Sequence, residues 1–172
     1  MGNARKAAEN FADRDFREIA IAEFYYFTGQ AQKCSDLVEI YIMSSRLELK
    51  LSACMLYVYS NLTLGNAKAS GRGLEIIREC LRKEMEAPTS ERNTAYCVFA
   101  GYMGTVLLHL STEELPDMKK YMSSLPQGLR IFAASMISHA LYLNGEYSRA
   151  LGICDAALFS CKEIYPVGMI YL

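Results

Sequence analysis

The sequence predicts an all-α protein, an α-solenoid of about four antiparallel helix pairs followed by the start of a fifth. Three observations carry this. Almost every window longer than about ten residues shows apolar residues at helical spacing with few strand-like alternations. Four breaks punctuate those windows, in FTGQAQKC at Gly29, TLGNAKAS at Gly65, HLSTEELP at Ser111 and LNGEYSRA at Gly145. The breaks stand 36, 46 and 34 residues apart (29 to 65, 65 to 111, 111 to 145), close to the roughly 34-residue period of stacked helix-turn-helix units.

The first pair is expected over residues 14–44, the second over 46–85, the third over 92–124 and the fourth over 127–162, while residues 165–172 open a fifth, incomplete pair. All belong to one repeat domain spanning 1–172. The preceding stretch ARKAAENFA reads as a short helix or a frayed end. Glycine suits a break because, lacking Cβ, it adopts positive φ at little steric cost. At the third break Ser111 replaces it, and STEEL is a good N-cap sequence, with Glu113 and Glu114 near the positive end of a helix predicted over 112–124. The long interval traces to KEMEAPTSERN (Lys83 to Asn93), where Pro88 blocks helix continuation and Thr89 and Ser90 suit the cap of the next helix. It behaves as an insertion of about ten residues in a loop between repeats.

Aligning the breaks also aligns small residues. Seven positions before each stand Ala22, Val58, Gly104 and Ser138, and five after each stand Cys34, Ser70, Pro116 and Ala150. Small side chains there let paired helices approach closely. Pro116 departs from the pattern and must lie in the first turn of its helix to be tolerated. In the fourth pair Tyr147 is expected to pack behind the Gly145 turn.

Composition removes several functions. With 18 Lys and Arg against 19 Asp and Glu the formal net charge is −1, which leaves no basic face for nucleic acid. The six cysteines, Cys34, Cys54, Cys80, Cys97, Cys154 and Cys161, form no CxxC pair, and the two histidines, His109 and His139, do not complete a zinc site. Buried reduced thiols are expected, with no metal and no other cofactor. The start of the chain has no secretory signal, which fits a cytoplasmic protein.

Asn93 to Leu110 is nearly uncharged over a length that approaches a bilayer span. Its Gly101, Gly104, Thr105 and His109, and the helical phase it shares with its neighbours, favour a buried helix and no membrane association. No Walker-type loop, Rossmann fingerprint, GxSxG elbow or HExxH occurs. SGRG (Ser70 to Gly73) lacks the strand-before-helix setting of a phosphate loop and reads as the start of a helix. His139 and Cys154 offer a Cys-His combination, but no third orienting group accompanies them, so Cys154 is expected in the core. No catalytic residue is assigned, and the chain is not expected to be an enzyme.

A helical array does possess a concave surface made by one set of helices. Its inner stripe is predicted to carry Glu23 and Tyr26, then Tyr59 and Leu62, then Thr105 and Leu108 with His109 alongside, then His139 and Tyr142. Hydroxyls, a carboxylate, imidazoles and apolar patches in one groove suit a peptide, an extended segment of another protein or a small effector. The alternative is that these residues only cover the inner wall of a stack.

The phrases AEFYYFTGQAQKCSDLVEIYI, LSACMLYVYSNLTLGNAKASGRGLEIIREC and LNGEYSRALGICDAALFSCKEIYPVGMIYL resemble the tetratricopeptide-like helical region of LuxR-type bacterial transcription regulators, small relatives of the region in the large maltose-activator-like proteins. The resemblance spans about Ile19 to Leu172. It implies a regulator whose array senses an effector or docks a partner while a C-terminal helix-turn-helix domain binds promoter DNA. No basic helix-turn-helix segment occurs among these residues, so this region is not expected to touch DNA itself. YPVGMIYL, with Pro166 at a helix start, is expected to open an apolar helix without its mate. That pattern suggests a fragment of a longer protein and a surface for homodimerisation. A free-standing tetratricopeptide-like adaptor that scaffolds protein partners is the alternative reading.

Overall fold

A computed structural model describes residues 12–161. Among these residues the chain is all-helical, with seven α-helices, three short 3-10 turns and no strand. It divides into two compact units between Glu86 and Ala87. The expected fifth pair at 165–172 and most of ARKAAENFA lie outside the described residues, and so does the surface expected to form a homodimer.

In the first unit α1 (Arg14–Phe27) starts at Asp13, whose carboxylate accepts the amides of Asp15 at 3.0 Å and Phe16 at 3.3 Å. These are donors that a first helical turn leaves without internal partners. α2 (Ala31–Val38) passes into a 3-10 turn at Glu39–Tyr41, so the second helix of this pair is shorter than the predicted run to residue 44. α3 (Leu47–Thr63) and α4 (Ala67–Glu86) form the next hairpin. α3 packs against α1, α2 and α4, and its Leu49, Leu51, Ala53, Cys54 and Val58 are at most 1% exposed. A helix covered on several sides needs no single apolar stripe. Each fully buried Leu or Val there contributes about 1.5–3 kcal/mol.

In the second unit α5 (Glu91–Leu107) is capped by Ser90, whose hydroxyl accepts the Asn93 amide at 3.1 Å, as the sequence suggested. α6 (Gln127–Leu143) packs against both α5 and α7 (Tyr147–Cys161). Val106, Met136 and Ala140 form the apolar core between α5 and α6, with Tyr102 and Met103 against it. The nearly uncharged stretch from Asn93 is therefore a helix buried in protein, and among the described residues no helix is long and apolar enough to cross a membrane.

The helix predicted over 112–124 is not present. Two 3-10 turns, Met118–Lys120 and Met122–Ser124, stand in its place. Ser111 does act as a local acceptor, taking the Glu113 amide at 3.3 Å, but the Leu115 amide then bonds back to Thr112 in a turn. Pro116 supplies no amide and disfavours helical backbone at Leu115 before it. Asp117 then caps the first 3-10 turn by accepting the Lys119 amide at 3.1 Å, and Met118 and Leu125 are buried to anchor the segment. Pro116 thus sits outside any helix, and its place in the column of small packing residues is lost.

The four reversals share one geometry. α1, α3, α5 and α6 each stop two residues before a residue of positive φ: Gly29 at 76°, Gly65 at 71°, His109 at 52° and Gly145 at 78°. At each, that residue donates to the carbonyl three back and its successor to the carbonyl five back. The pairs are Gly29 to Tyr26 with Gln30 to Tyr25, Gly65 to Leu62 with Asn66 to Asn61, His109 to Val106 with Leu110 to Thr105, and Gly145 to Tyr142 with Glu146 to Leu141. This double bond satisfies carbonyls that the last turn would otherwise leave open. The three glycine breaks stand where the sequence placed them. The third reversal falls at His109, two residues before Ser111, so the intervals become 36, 44 and 36 residues (29 to 65, 65 to 109, 109 to 145).

The small-residue columns pair across the other three hairpins. Ala22 and Cys34, Val58 and Ser70, and Ser138 and Ala150 are all buried. In two of the three a serine hydroxyl ties the helices together: Ser70 donates to the Val58 carbonyl at 3.4 Å and Ser138 to the Ala150 carbonyl at 3.0 Å. The hydroxyl sits on the second helix in one case and on the first in the other.

Candidate functional site

Of the nine residues of the predicted inner stripe, four fall in the first unit and five in the second, where Leu108 is half-buried. In the first unit Tyr26 of α1 and Tyr59 of α3 bring their rings to 5.9 Å between centroids at 32°. The Tyr59 hydroxyl is buried and has no hydrogen-bond partner. Burial, with the nearby Tyr26 adding, raises its pKa well above the ordinary tyrosine range. Glu23 reaches solvent, yet protein around its carboxyl raises its pKa by desolvation; the exposure limits how much that matters energetically. Burial pushes the Cys34 thiol up to about 11, with a Ser60 hydrogen bond opposing and the Glu23 charge adding. Leu62, about one turn beyond Tyr59, is half-buried.

In the second unit His109, on the reversal after α5, and His139, on α6, bring their rings to 6.1 Å at 63°. Thr105 is fully buried and its hydroxyl has no hydrogen-bond partner, so it offers nothing to a ligand at the surface. Tyr142 is 59% exposed and packs its ring at 5.4 Å on Tyr147.

His139 and Tyr142 belong to an open groove of about 570 Å³ between α6 and α7. The α6 wall is made by Ser135, Ser138, His139 and Tyr142, and the α7 wall by Tyr147, Ala150, Leu151 and Cys154. The groove exists because Ser138 and Ala150 hold the helices close at its floor, while the larger side chains one turn away stand up as walls. Tyr147 does not pack behind the turn: it is 63% exposed on the groove side, next to Leu151 at 62%. Nothing in the local sequence distinguishes a tyrosine that covers a turn from one that edges a groove, since both follow the same helical period.

Cys154 is half-buried and lies in the groove that His139 also lines. Its sulfur is 2.9 Å from Ser138 Oγ. The Ser138 hydroxyl also donates to the Ala150 carbonyl, which leaves its oxygen as the acceptor toward Cys154. Among the described residues no group of three or more His, Cys, Asp or Glu side chains stands where a metal would bind.

The groove is mainly apolar, with hydroxyls from Ser135, Ser138, Tyr142 and Tyr147 and the His139 imidazole along it. Such a surface binds by shape and apolar burial with a few orienting hydrogen bonds. Comparison with known proteins gives no matching family model, no matching curated protein and no matching solved structure.

Proposed function

We propose that the chain is a tetratricopeptide-like binding region of a cytoplasmic LuxR-type transcription regulator, taking an effector or partner and acting on a DNA-binding domain carried elsewhere in its protein. The observation that supports it most is the open groove between α6 and α7, in which His139 and Tyr142, both assigned to a binding stripe from the sequence, lie together. The reversals, recurring 36, 44 and 36 residues apart, support the tetratricopeptide-like reading of the hairpins. The balanced charge supports regulation at a distance from DNA rather than direct contact with it. The alternative, a free-standing adaptor for protein partners, draws on the exposed pair Tyr142 and Tyr147, since tyrosine is enriched at the energetic centres of protein interfaces.

The test has two arms. The 172-residue chain is expected not to retard promoter DNA in a gel-shift titration at low salt. In a thermal-shift screen against small effectors and candidate partner proteins, a binder is expected to stabilise it by about 2.7 kcal/mol at a hundredfold excess over Kd, an effect lost in Tyr142→Ala. Salt-sensitive DNA binding by the chain itself would overturn the reading, as would ligand stabilisation indifferent to Tyr142 and His139.

A further inference from the structure

The first unit holds a carboxylate that is open to solvent and yet surrounded by protein. Glu23 on α1 is exposed, but desolvation alone raises its pKa, and no charge or hydrogen bond from a described residue opposes that rise. A carboxylate that water reaches and protein still desolvates stands in a recess, not on a convex face. Its charge bears on the Cys34 thiol of α2. The one cation of α2, Lys33, is turned elsewhere: its ammonium lies 5.6 Å from the centre of the Tyr25 ring and donates to Gln30 Oε1 at 2.8 Å. Aromatic rings stand beside the carboxylate. Tyr26 and Phe27 follow Glu23 by three and four positions, so the three side chains share one face of α1. The Tyr26 ring is 5.5 Å from Phe27 at a steep angle and 5.9 Å from Tyr59 of α3. Phe27 is 58% exposed, which leaves a large ring in water next to an unpaired charge.

We infer that this recess between α1 and α3 binds a primary alkylammonium group, with Glu23 accepting its N–H donors and the Tyr26, Phe27 and Tyr59 rings flanking its charge and methylenes. Tyr59 contributes its ring only, because its hydroxyl is buried. The site goes beyond the α6–α7 groove and shares no residue with it, so either can fail while the other stands. Other ligand classes fit poorly. An anion meets the Glu23 charge, and a neutral apolar molecule would bury the carboxylate further without pairing it. A divalent metal needs several oxygen or nitrogen ligands, and among the described residues no group of three or more His, Cys, Asp or Glu stands together. An alkylammonium meets both features of the recess: its N–H donors form charge-assisted hydrogen bonds with a carboxylate, and its positive charge is drawn to ring faces within about 6 Å.

The probe is n-butylammonium chloride, titrated into the full chain at neutral pH and constant ionic strength and followed by amide chemical shifts in NMR. Saturable shifts are expected at Glu23, Tyr26 and Phe27, and none with n-butanol, the neutral counterpart. Glu23→Gln keeps the shape and removes the charge, and is expected to weaken binding at least about tenfold. Glu75→Gln, which removes another exposed charge, on α4, is expected to leave binding unchanged. Tyr26→Leu is expected to weaken it roughly threefold or more, and Tyr26→Phe, which restores a ring, to recover most of that loss. The spectra of the variants show directly whether the fold is retained. A second arm titrates acetyl-Gly-Lys-Gly-amide against its acetyl-lysine form. Tighter binding of the lysine peptide than of n-butylammonium assigns the cation to a lysine side chain of a partner, and weaker binding assigns it to a free amine; both uphold the site. No saturable shift with either cation overturns it, as does binding that Glu23→Gln leaves intact. An equal loss in Glu75→Gln also overturns it, by tracing the attraction to net charge alone. None of these outcomes bears on the α6–α7 groove, whose own test turns on Tyr142 and His139.

Discussion

Ser138 donates its hydroxyl proton to the Ala150 carbonyl at 3.0 Å, joining α6 to α7 at the same step of the hairpin where Ser70 joins α4 to Val58 of α3. The corresponding residue in the first hairpin, Ala22, is fully buried without a hydroxyl, so alanine fits this position sterically. Ser138→Ala is therefore expected to remove a hydrogen bond and little packing, lowering stability by about 1 kcal/mol. Chemical denaturation of the full chain measures it; an unchanged midpoint would show that the bond contributes nothing net.

Two glycines of α4 make a matched pair. A Cβ on Gly73 would meet Val58 Cγ2 at 2.8 Å and Tyr57 Cδ1 at 3.3 Å, whereas a Cβ on Gly71 would meet nothing within 4 Å. Val58 is fully buried and β-branched, so it has little room to turn away. Gly71→Ala is expected to stabilise the chain by up to about 1 kcal/mol through helix propensity. Gly73→Ala gains the same term but incurs an overpacking cost of roughly 1–3 kcal/mol, for a net loss. Thermal melts of the two variants should move in opposite directions.

His109 holds the backbone position that glycine holds in the other three reversals, at φ 52°. An L-residue there costs roughly 1–2 kcal/mol relative to its preferred regions, partly offset in glycine by the greater freedom of its unfolded chain. His109→Gly is expected to stabilise the chain by about 0.5–1 kcal/mol. If His109 and His139 also serve the groove, the same variant weakens ligand or peptide binding while raising the melting temperature. A stability gain with unchanged binding would separate His109 from the site.

Acid should weaken the start of the first unit. Arg46 Nη2 lies 2.7 Å from Asp13 Oδ2 and its Nη1 3.3 Å from Asp15 Oδ2, and the hydrogen bond from Arg46 is the main cause of the lowered Asp13 pKa. A carboxyl whose folded pKa lies below its unfolded value stabilises the fold above the ordinary carboxylate range, and that contribution is lost as pH falls through the folded value. Arg46→Ala is thus expected to lower the melting temperature at neutral pH and to lose its difference from the unaltered chain in acid. Because the ions are exposed, the effect should be small and should shrink with added salt. A difference that persists below the carboxylate range would trace instead to the Arg46 guanidinium over the Phe16 ring at 4.9 Å.

The hairpins were legible in sequence wherever glycine marked the reversal, since Gly29, Gly65 and Gly145 announce positive φ by their identity. The third reversal was misplaced for the same reason: its positive-φ residue is a histidine, which composition does not flag, and the attractive cap at Ser111 drew the break two residues downstream. Pro116 then kept the following segment out of the helix its acidic start suggested. Within the candidate site, His139 and Tyr142 follow from counting along the helix from the Gly145 break, whereas the sequence assigns Tyr147 and Cys154 to packing and gives Leu151 no role. Period specifies which side of a helix a residue occupies, not whether another helix covers that side.

The sequence by itself determined the helical class, most reversals and the pairs of small residues that bring hairpin helices together, because these follow from local backbone preference and side-chain size. The tertiary structure decided which equivalent groove is filled and which stands open. Ala31 and Ser35 are buried under α3, and their counterparts Tyr147 and Leu151 are exposed, since burial depends on what lies across a helix pair rather than on the residues that build it.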